Sequence, residues 1–328
     1  EGFSGGILCK TGRFLPFEED RDRVLTPMVR KNGELKNATI EEAIAAISAK
    51  MKPLAGKNGS GVAAIASTRL PIESLSLFKQ IFSDGMKSGM VTTLEEGWPT
   101  NASASLADEL KKEFEGKVDS LDLADCVVVV NADLANNHQV LGFLVKRILP
   151  GGTRMIVIDP KENGFDPFAE KCLKAKKGNP VDVVKALTAA ILEKPLDELA
   201  GKCGIDETDL KNAAYILNHA QHPVFIYGSG LSSKDGKDAV SALVYLASSL
   251  KNGVLISTKG KANSLAASML KLDLPFIAGK HQAFFVAIGD DVISDRLLNN
   301  LEKAPFIAVT AAYHSKITAR ADVVVPVE

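Results

Sequence analysis

Short apolar runs bounded by glycine, proline or polar residues alternate along this chain with segments of helical periodicity. The run at residues 155–158 lies between a Gly-Gly pair and the dipeptide Asp159-Pro160, which predicts a buried parallel strand. Similar runs occur at 61–67, 90–94, 125–131, 224–227, 254–257, 284–288, 307–310 and 322–325. This alternation predicts an α/β fold made of two doubly wound, mostly parallel, Rossmann-like α/β domains.

The length of 328 residues favours two domains, because a single hydrophobic core rarely extends through so long a chain. Residues 37–95 and 252–328 are expected to form a first α/β domain, and residues 96–251 a second one inserted into it. Residues 1–36 show no clear period and are expected to form a strap. A helix is expected to begin after Thr39, because Glu42 three residues later completes a capping box.

The charge of the chain is balanced, since 39 Lys and Arg residues face 40 Asp and Glu residues and the net charge is -1. A chain without a basic field is not expected to bind nucleic acid. No apolar run is long enough to span a bilayer, and the first residues lack the apolar core of a signal peptide, so a cytoplasmic location is expected. Because the sequence starts with Glu1 rather than Met, we expect it to belong to a longer polypeptide.

The common metal and phosphate motifs are missing from the sequence. The four cysteines lack C-x-x-C spacing, the five histidines do not form a metal set, and neither G-x-G-x-x-G nor G-x-x-x-x-G-K-[ST] occurs. Cys126 lies inside a predicted strand and is interpreted as a buried apolar residue, whereas Cys9 lies in a glycine-flanked loop. The four lysines between residues 171 and 177 form either a solvated basic edge or a surface that faces an anionic ligand.

Polar residues and glycines follow several of the predicted strands. The candidates for a ligand site are Asn131, Asp133, Asp159, Gly228, Gly230, Gly289 and Asp290. In open α/β sheets ligands bind outside the carboxyl ends of the strands, where glycine allows close backbone approach and a carboxylate holds a base or a ribose. A nucleotide-like ligand across these strand ends is one interpretation. The other is that these residues only form turns, with Asp159-Pro160 capping the segment that follows it.

Several segments occur in the order found in one known family. GGILCKTGRF is followed by DRVLTPMVRKNGEL and then by ATIEEAIAAI. Further along, NADLANNHQV is similar to a G-x-N strand end, and MIVIDPKENGFDPFAEKCLKAKKGN is similar to an IDPR motif with a following P-G-T-D. VFIYGSGL and FVAIGDDVISD are similar to the later glycine turns, and TARADVVVPV is similar to T-x-x-A-D-V-V-L-P. On these segments the chain resembles the large subunits of molybdopterin-dependent oxidoreductases, in particular formate dehydrogenase α subunits and the large iron-sulfur subunit of NADH:quinone oxidoreductase. The resemblance covers nearly the whole chain and implies that the sequence is incomplete at both ends.

The resemblance also implies cofactors and partners. The family binds molybdopterin guanine dinucleotide, and Asp159 would hold its guanine, with Asn131 and Asp133 in place of the usual glycine and asparagine of the preceding strand end. Cys9 would be the last of four thiolates on a [4Fe-4S] cluster, which requires cysteines upstream of residue 1, and the strap would then follow an iron-sulfur domain. The expected partners are other redox subunits, both iron-sulfur subunits and flavin-containing or NADH-oxidising ones.

The chain departs from the family pattern at the metal. Relatives with a metal carry a cysteine, selenocysteine, serine or aspartate ligand in the loop after the second strand. The corresponding loop here reads LEEGWPTNASA, in which Glu95 and Glu96 are the only acidic side chains that could act as metal ligands. Near the cluster position Lys10 adjoins Cys9, and Thr11 stands where the family has a lysine. The resemblance therefore implies a member in which the metal ligand has been lost.

We accordingly expect part of a redox subunit that lacks the metal ligand and serves electron transfer and subunit docking in a multisubunit NADH or formate oxidoreductase. Catalysis by this chain alone is not expected. Two alternatives stay open at this point. One is an active molybdenum or tungsten enzyme of the formate dehydrogenase type, which uses two molybdopterin guanine dinucleotides. The other is a non-catalytic α/β module for nucleotide binding or assembly.

Overall fold

The chain folds as two compact units in the computed structural model. The residues that the structure describes are 6–57, 61–95, 118–176, 180–228, 236–258, 260–272, 274–277, 279, 281–302 and 304–327. Unit 1 comprises Glu1–Glu18 and Ala102–Lys259, and unit 2 comprises Glu19–Asn101 and Gly260–Glu328. Most of unit 1 is therefore inserted within the sequence of unit 2.

The first stretch of the chain contributes one short helix to unit 1 and the beginning of unit 2. Its elements are α1 (Lys10–Phe14), β1 (Met28–Lys31), β2 (Glu34–Asn37), α2 (Ile40–Met51), β3 (Val62–Ala66), α3 (Ile72–Lys79) and β4 (Met90–Thr93). Helix α2 begins at the predicted capping box, because Thr39 Oγ1 accepts from Glu42 N at 3.2 Å and Glu42 Oε2 accepts from Thr39 N at 3.0 Å. After α3 the chain adds one turn of π-helix, Gln80–Gly85.

The middle stretch forms the body of unit 1. Its elements are β5 (Cys126–Val130), α4 (Gln139–Ile148), β6 (Arg154–Ile158), β7 (Lys171–Leu173), α5 (Pro180–Ile191), α6 (Asp197–Cys203), α7 (Glu207–Asn218), β8 (Pro223–Tyr227), α8 (Gly236–Ser248) and β9 (Val254–Ser257). All five residues of β5 are buried, as expected for a valine run in a parallel sheet covered on both faces. Among the described helices of both units, none is long and apolar enough to cross a membrane.

The last stretch completes unit 2. Its elements are α9 (Ser264–Met269), β10 (Ala283–Gly289), α10 (Asp295–Leu301), β11 (Ile307–Ala311), α11 (Lys316–Arg320) and β12 (Val323–Pro326). In the described part of unit 2, seven strands lie in the order β2-β1-β12-β11-β10-β3-β4. The pairs from β12 to β4 are parallel, whereas β1 runs antiparallel to both β12 and β2.

Buried residues lie on both faces of the central strands of the unit 2 sheet. Ile65, Val286 and Val309 belong to one hydrophobic cluster, whereas Ala64 and Ala308 belong to another that includes phenylalanines of α3 and the π turn. Neighbouring residues of a strand point to opposite faces, so each strand supplies both clusters. This arrangement confirms the predicted α/β class for unit 2.

The sheet of unit 1 is parallel throughout its described strands, in the order β7-β6-β5-β8-β9. Val128 and Phe225 face one apolar cluster, and Val127 and Ile226 face the other. Strand β7 has only three residues, and its Lys171 was predicted as part of a basic segment and not of a strand. A run that short carries too little periodicity to be recognised.

The region expected to form a strap contributes two strands to unit 2. Asn32 and Gly33 between β1 and β2 have positive φ angles of 55° and 86°, which is the geometry of a type I′ hairpin turn. The Asn-Gly pair between apolar runs is the local signal that could have revealed this hairpin. The second domain boundary, expected at residue 252, lies later in the structure, because β9 pairs with β8 of unit 1.

Candidate functional site

The carboxyl ends of three neighbouring strands lie side by side in unit 1. Because β6, β5 and β8 are adjacent and parallel, Asp159, Asn131 and Gly228 follow these strands at the same edge of the sheet. Asn131 N donates to Ile158 O at 2.8 Å, and Gly228 N donates to Val130 O at 3.0 Å. The structure thus brings three of the predicted site residues together. We call this edge the unit 1 edge.

Asp159 is half-buried and holds the turn that follows β6. Its Oδ1 accepts from Lys161 N at 2.9 Å, and its Oδ2 accepts from the Asn163 side-chain amide at 2.9 Å. These bonds are those of an Asp-Pro turn, as one of the two interpretations expects. Within the described residues each carboxylate oxygen takes one hydrogen bond, and a carboxylate oxygen has two lone pairs. The carboxylate therefore keeps acceptor capacity for a ligand while it holds the turn.

Asn163 is a site residue that the sequence reasoning missed. It is 9% exposed, and its Nδ2 donates both to Asp159 Oδ2 and, at 3.0 Å, to Ala132 O. Its Oδ1 accepts from Phe165 N at 3.0 Å. Asn163 therefore joins the loop after β5 to the loop after β6. An asparagine four residues beyond an Asp-Pro turn is a usual turn former and was the available signal.

Gly228 is explained by packing between two strand-end loops. A Cβ atom at this position would lie 2.3 Å from Asn131 O and 2.7 Å from Ala132 Cα, which are backbone atoms that cannot move aside. Asn131 itself has a positive φ of 49°. Asp133 turns toward its own loop, where it accepts from Asn136 N at 3.0 Å. Gly230 lies outside the described residues.

Two of the four lysines of the basic segment form ion pairs with carboxylates. Lys171 pairs with Asp209 at 3.0 Å, and Lys174 pairs with Asp166 at 2.8 Å. Burial alone would raise the pKa of Asp166, but the hydrogen bonds from Lys174 and Asn163 N outweigh it, so this pKa is lowered. For these two lysines the structure favours an ion-paired edge over a surface that awaits an anionic ligand.

Cys9 stands at the beginning of α1, where its Sγ accepts from Gly12 N at 3.2 Å. Across the described ranges, no group of three or more His, Cys, Asp and Glu side chains could hold a metal ion. Burial raises the pKa of the Cys126 thiol to about 12 and also raises that of Cys172, so both stay protonated near neutral pH. A cluster ligated by Cys9 still requires cysteines from outside this sequence.

The corresponding strand ends of unit 2 form a closed network. Glu95 follows β4, and its Oε1 accepts from Thr68 Oγ1 at 2.6 Å, from Ser264 Oγ at 2.5 Å and from Lys261 N at 3.0 Å. Thr68 and Ser264 are each 1% exposed. Three donors therefore converge on one oxygen of the acidic residue that the sequence analysis singled out. Glu96 lies outside the described residues.

Lys261 extends this network to a second carboxylate. Its ammonium group lies 2.7 and 2.6 Å from the two oxygens of Asp291, whose side chain is 5% exposed. Asp291 also accepts from Ser67 Oγ at 2.7 Å. The network, here called the Lys261 cluster, is made of Ser67, Thr68, Glu95, Lys261, Ser264 and Asp291. Lys261 and Ser264 were missed because Lys261 lies in the loop before α9 and Ser264 is the first residue of that short helix, so neither is at the end of a predicted strand.

Gly289 and Asp290 lie beside this cluster and are engaged differently. Gly289 has a positive φ of 58°, which glycine adopts without strain. Asp290 is exposed and forms an ion pair with Arg69 at 2.8 Å. Neither residue is hydrogen-bonded to Glu95 or Lys261 in the described part of the chain.

The two edges differ in the groups that they fit. The Asp159 carboxylate presents open acceptor positions, which suit the N–H groups of a nucleotide base. In the Lys261 cluster one oxygen of Glu95 accepts from three donors, and both oxygens of Asp291 pair with the Lys261 ammonium group. These groups of the unit 2 edge are thus engaged within the protein.

Unit 2 also carries an apolar groove of about 740 Å³ on one face. Helix α2, helix α3 and the π turn line its walls, and strands β10, β11 and β12 form its floor. Ile44, Leu77 and Ile81 project from the walls with 55%, 56% and 45% of their surface exposed. Exposed apolar side chains that are grouped in this way are typical of protein contact surfaces.

Two mostly parallel sheets, each flanked by helices, define a protein of the α/β class. The family model described as "Molybdopterin oxidoreductase" matches residues 23–328. The chain therefore belongs to the molybdopterin oxidoreductase family, which confirms the resemblance stated from its motifs.

Similar proteins are named as subunits of redox enzymes. The chain is 24% identical over 281 residues to NADPH-Fe(3+) oxidoreductase subunit alpha of Geobacter sulfurreducens, covering 75% of this chain and 32% of that protein. It is 24% identical to F420-dependent formate dehydrogenase 1 subunit alpha of Methanococcus maripaludis (63% and 29% covered) and 27% identical to an NADH-quinone oxidoreductase subunit of Rhizobium meliloti (58% and 22%). The chain thus spans about a third or less of the length of these relatives.

A solved structure supports the fold. Acetylene hydratase from Pelobacter acetylenicus aligns with a TM-score of 0.73 over 97% of this chain and 57% of that chain, at 15% identity. Similarity at this identity concerns the fold and does not transfer the activity.

Proposed function

We propose that this chain is the molybdopterin-fold part of a redox subunit in which the nucleotide end of the cofactor site is retained and the metal end has been replaced by the Lys261 cluster. It serves electron transfer and subunit docking in a multisubunit NADH or formate oxidoreductase. The observation that carries the proposal is the commitment of Glu95 Oε1 to three donors of unit 2, one of them the backbone N–H of Lys261, whose ammonium group pairs with Asp291.

The proposed loss of the metal is supported by the chemistry of this cluster. A carboxylate oxygen that replaced the family's metal ligand would need a lone pair directed at the metal, and Glu95 Oε1 already accepts three hydrogen bonds from within unit 2. Lys261 supplies the positive charge that neutralises Asp291. The Lys261–Asp291 pair is thus neutral without a metal ion, and Glu95 Oε1 is held by hydrogen bonds from neutral donors.

The retained nucleotide end is assigned to the unit 1 edge. Asp159 accepts the N–H groups of guanine in molybdopterin guanine dinucleotide, and Asn131, Asp133, Gly228 and Gly230 form the loops around it. Gly289 and Asp290 are the corresponding candidates in unit 2. When bound, the cofactor supplies a guanine nucleotide for these loops to hold, and the pterin serves as a structural element.

Electron transfer in this proposal runs through iron-sulfur clusters held by sequence upstream of residue 1, with Cys9 as the last ligand of a [4Fe-4S] cluster. The partners are iron-sulfur subunits and flavin-containing or NADH-oxidising subunits. Support comes from the relatives that are named as subunits of NADPH-Fe(3+), F420-dependent and NADH-quinone enzymes. The apolar groove of unit 2 is the proposed docking surface for one of these subunits.

Metal and pterin analysis of the full-length protein, purified from its native host, tests the proposal. We expect iron-sulfur absorbance, releasable pterin with a guanine nucleotide, and molybdenum and tungsten far below one atom per chain. Stoichiometric metal would instead support an active enzyme of the formate dehydrogenase type. Absence of both pterin and iron-sulfur absorbance would support the plain α/β nucleotide-binding or assembly module.

The docking surface has its own test in the same preparation. Aspartates at Ile44 and Leu77 should abolish co-purification of the redox partners, because they place charge on an apolar contact. Leu25→Asp is the control, since Leu25 is 80% exposed, belongs to unit 2 and does not line the groove. Co-purification that survives the groove substitutions would remove the groove from the proposal.

A further inference from the structure

We propose that Asn163 is the positioning residue of the guanine site, because it orients the Asp159 carboxylate and fixes the two loops that frame it. The inference rests on the proposed role of Asp159 as the guanine acceptor. Asn163 is 9% exposed, so it acts through Asp159 and does not contact the ligand itself.

The orientation of the Asn163 amide is determined by its three partners. Its NH₂ group faces two oxygens, Asp159 Oδ2 at 2.9 Å and Ala132 O at 3.0 Å, and its carbonyl oxygen faces the N–H of Phe165 at 3.0 Å. A flipped amide would place oxygen against two acceptors and NH₂ against a donor. Both hydrogens of Nδ2 are therefore used, one on each loop.

The consequence for Asp159 is a carboxylate with a fixed plane. Rotation of an aspartate carboxylate about χ2 is soft, so its plane must be set by its partners. Here Lys161 N holds Oδ1 and Asn163 Nδ2 holds Oδ2, which leaves one further lone pair on each oxygen. Guanine presents two adjacent N–H donors, one from the ring and one from its amino group, and they match a pair of coplanar acceptor oxygens. Adenine has no such pair of donors.

The second bond of Asn163 extends the same control to the neighbouring loops. Ala132 O belongs to the loop after β5, and this loop packs against Gly228 so closely that a Cβ there would lie 2.7 Å from Ala132 Cα. Asn163, Ala132 and Gly228 thus connect the loops after β6, β5 and β8 into one rigid frame. A preformed frame lowers the ordering cost of binding a nucleotide.

Asn163→Asp tests the inference, because aspartate has the same shape and still accepts from Phe165 N. It replaces the NH₂ group by an oxygen that faces Asp159 Oδ2 and Ala132 O. The full-length protein would be produced in a host that makes no molybdopterin, and its affinity for GDP measured by calorimetry. We expect the affinity at pH 7.5 to fall about tenfold or more, as for loss of a hydrogen bond to a charged group.

The pH profile separates positioning from general damage. Two carboxylates in hydrogen-bond contact share a proton as the pH falls, and the shared proton restores a bond where the amide stood. The Asn163→Asp protein should therefore regain most of its GDP affinity at pH 5, whereas the unmodified protein should not gain affinity. Asn163→Thr retains a single donor and should bind with an intermediate affinity at pH 7.5.

The matched control is Asn218→Asp, since Asn218 also lies in unit 1 and its Nδ2 donates to a backbone carbonyl, Ile191 O at 3.5 Å. It should leave GDP affinity and its pH profile unchanged. If unmodified protein does not prefer GDP over ADP, the proposed guanine site itself is wrong. If it does prefer GDP, and both Asn163 variants are folded by circular dichroism and bind GDP normally, the positioning role is wrong while the guanine site stands.

Discussion

The carboxyl edges of the two sheets place acidic residues in equivalent positions and engage them differently. At the unit 1 edge, Asp159 is held by a backbone N–H and a side-chain amide, one on each oxygen. At the unit 2 edge, Glu95 receives three donors on one oxygen, and Asp291 is paired with the Lys261 ammonium group. The donors contributed by neighbouring loops decide how many acceptor positions of each acidic oxygen are used within the protein.

The largest effect is expected when Asp159 loses its capacity to accept hydrogen bonds from a ligand. In Asp159→Asn the amide must turn its NH₂ toward either Lys161 N or Asn163 Nδ2, and it loses one acceptor for guanine. We expect GDP affinity to fall about a hundredfold, because donors on both sides are left unpaired. Calorimetry measures the effect, and Asp209→Asn, which removes an ion pair elsewhere in unit 1, should bind normally. Unchanged affinity would mean that the two edges do not differ in this way.

The second test removes the cation of the Lys261 cluster at the unit 2 edge. Lys261→Met leaves the buried Asp291 carboxylate without its cation, so unit 2 should lose about 2 kcal/mol of unfolding free energy, which allows for the partial exposure of Lys261. Urea denaturation followed by circular dichroism measures this loss. Lys316→Met breaks the exposed pair with Asp295 and should cost less than about 0.5 kcal/mol. Equal effects of the two substitutions would show that the cluster does not hold the edge together.

The third test compares buried histidines of the two units by pH. Burial lowers the pKa of His281 in unit 2, and burial also lowers the pKa of His138 in unit 1, where Asp133 opposes the shift. A histidine with a lowered pKa binds fewer protons when folded than when unfolded, so its contribution is present above the ordinary pKa of 6.5 and is lost as the pH falls below it.

His281→Gln should therefore reduce the loss of stability between pH 7 and pH 5. His281 is 7% exposed, and its Nδ1 has no hydrogen-bond partner among the described residues, so no local bond compensates its protonation. His138→Gln should have a smaller effect, because Asp133 already favours the charged ring. Thermal denaturation across this pH range provides the measurement. A steeper pH dependence in His281→Gln would contradict the sign of the effect.

The smallest expected effect concerns Glu95 itself. If the Lys261 cluster has replaced a metal site, Glu95→Gln keeps an oxygen for the three donors, and redox activity of the assembled complex should stay within about threefold. Glu95→Ala should reduce the stability of unit 2 but leave activity per folded complex in the same range. A collapse of activity with the fold intact would assign Glu95 a ligand role. Steady-state assays normalised to iron-sulfur content provide the comparison.

The parts of this structure that depend on local signals were predictable from sequence. Thr39 and Glu42 identified the beginning of α2, and the apolar run ending at Asp159 placed that carboxylate at a strand end. Lys261 and Asn163 were not predictable, because their roles depend on partners such as Asp291 and Ala132 that are distant along the chain. The same holds for β9, whose strand pattern says nothing about the sheet that it joins.

The order of strands in unit 2 has a consequence for folding during synthesis. Ala63 of β3 pairs with Phe284 of β10, so two adjacent strands in the middle of the sheet are separated in sequence by the whole inserted unit. During synthesis β3 and β4 leave the ribosome before their neighbour β10, whereas the five described strands of unit 1 are all complete before β10 is made. Pairings so distant in sequence form slowly and leave strand edges unpaired in the meantime. The described strands of unit 1 can therefore pair before β3 meets β10.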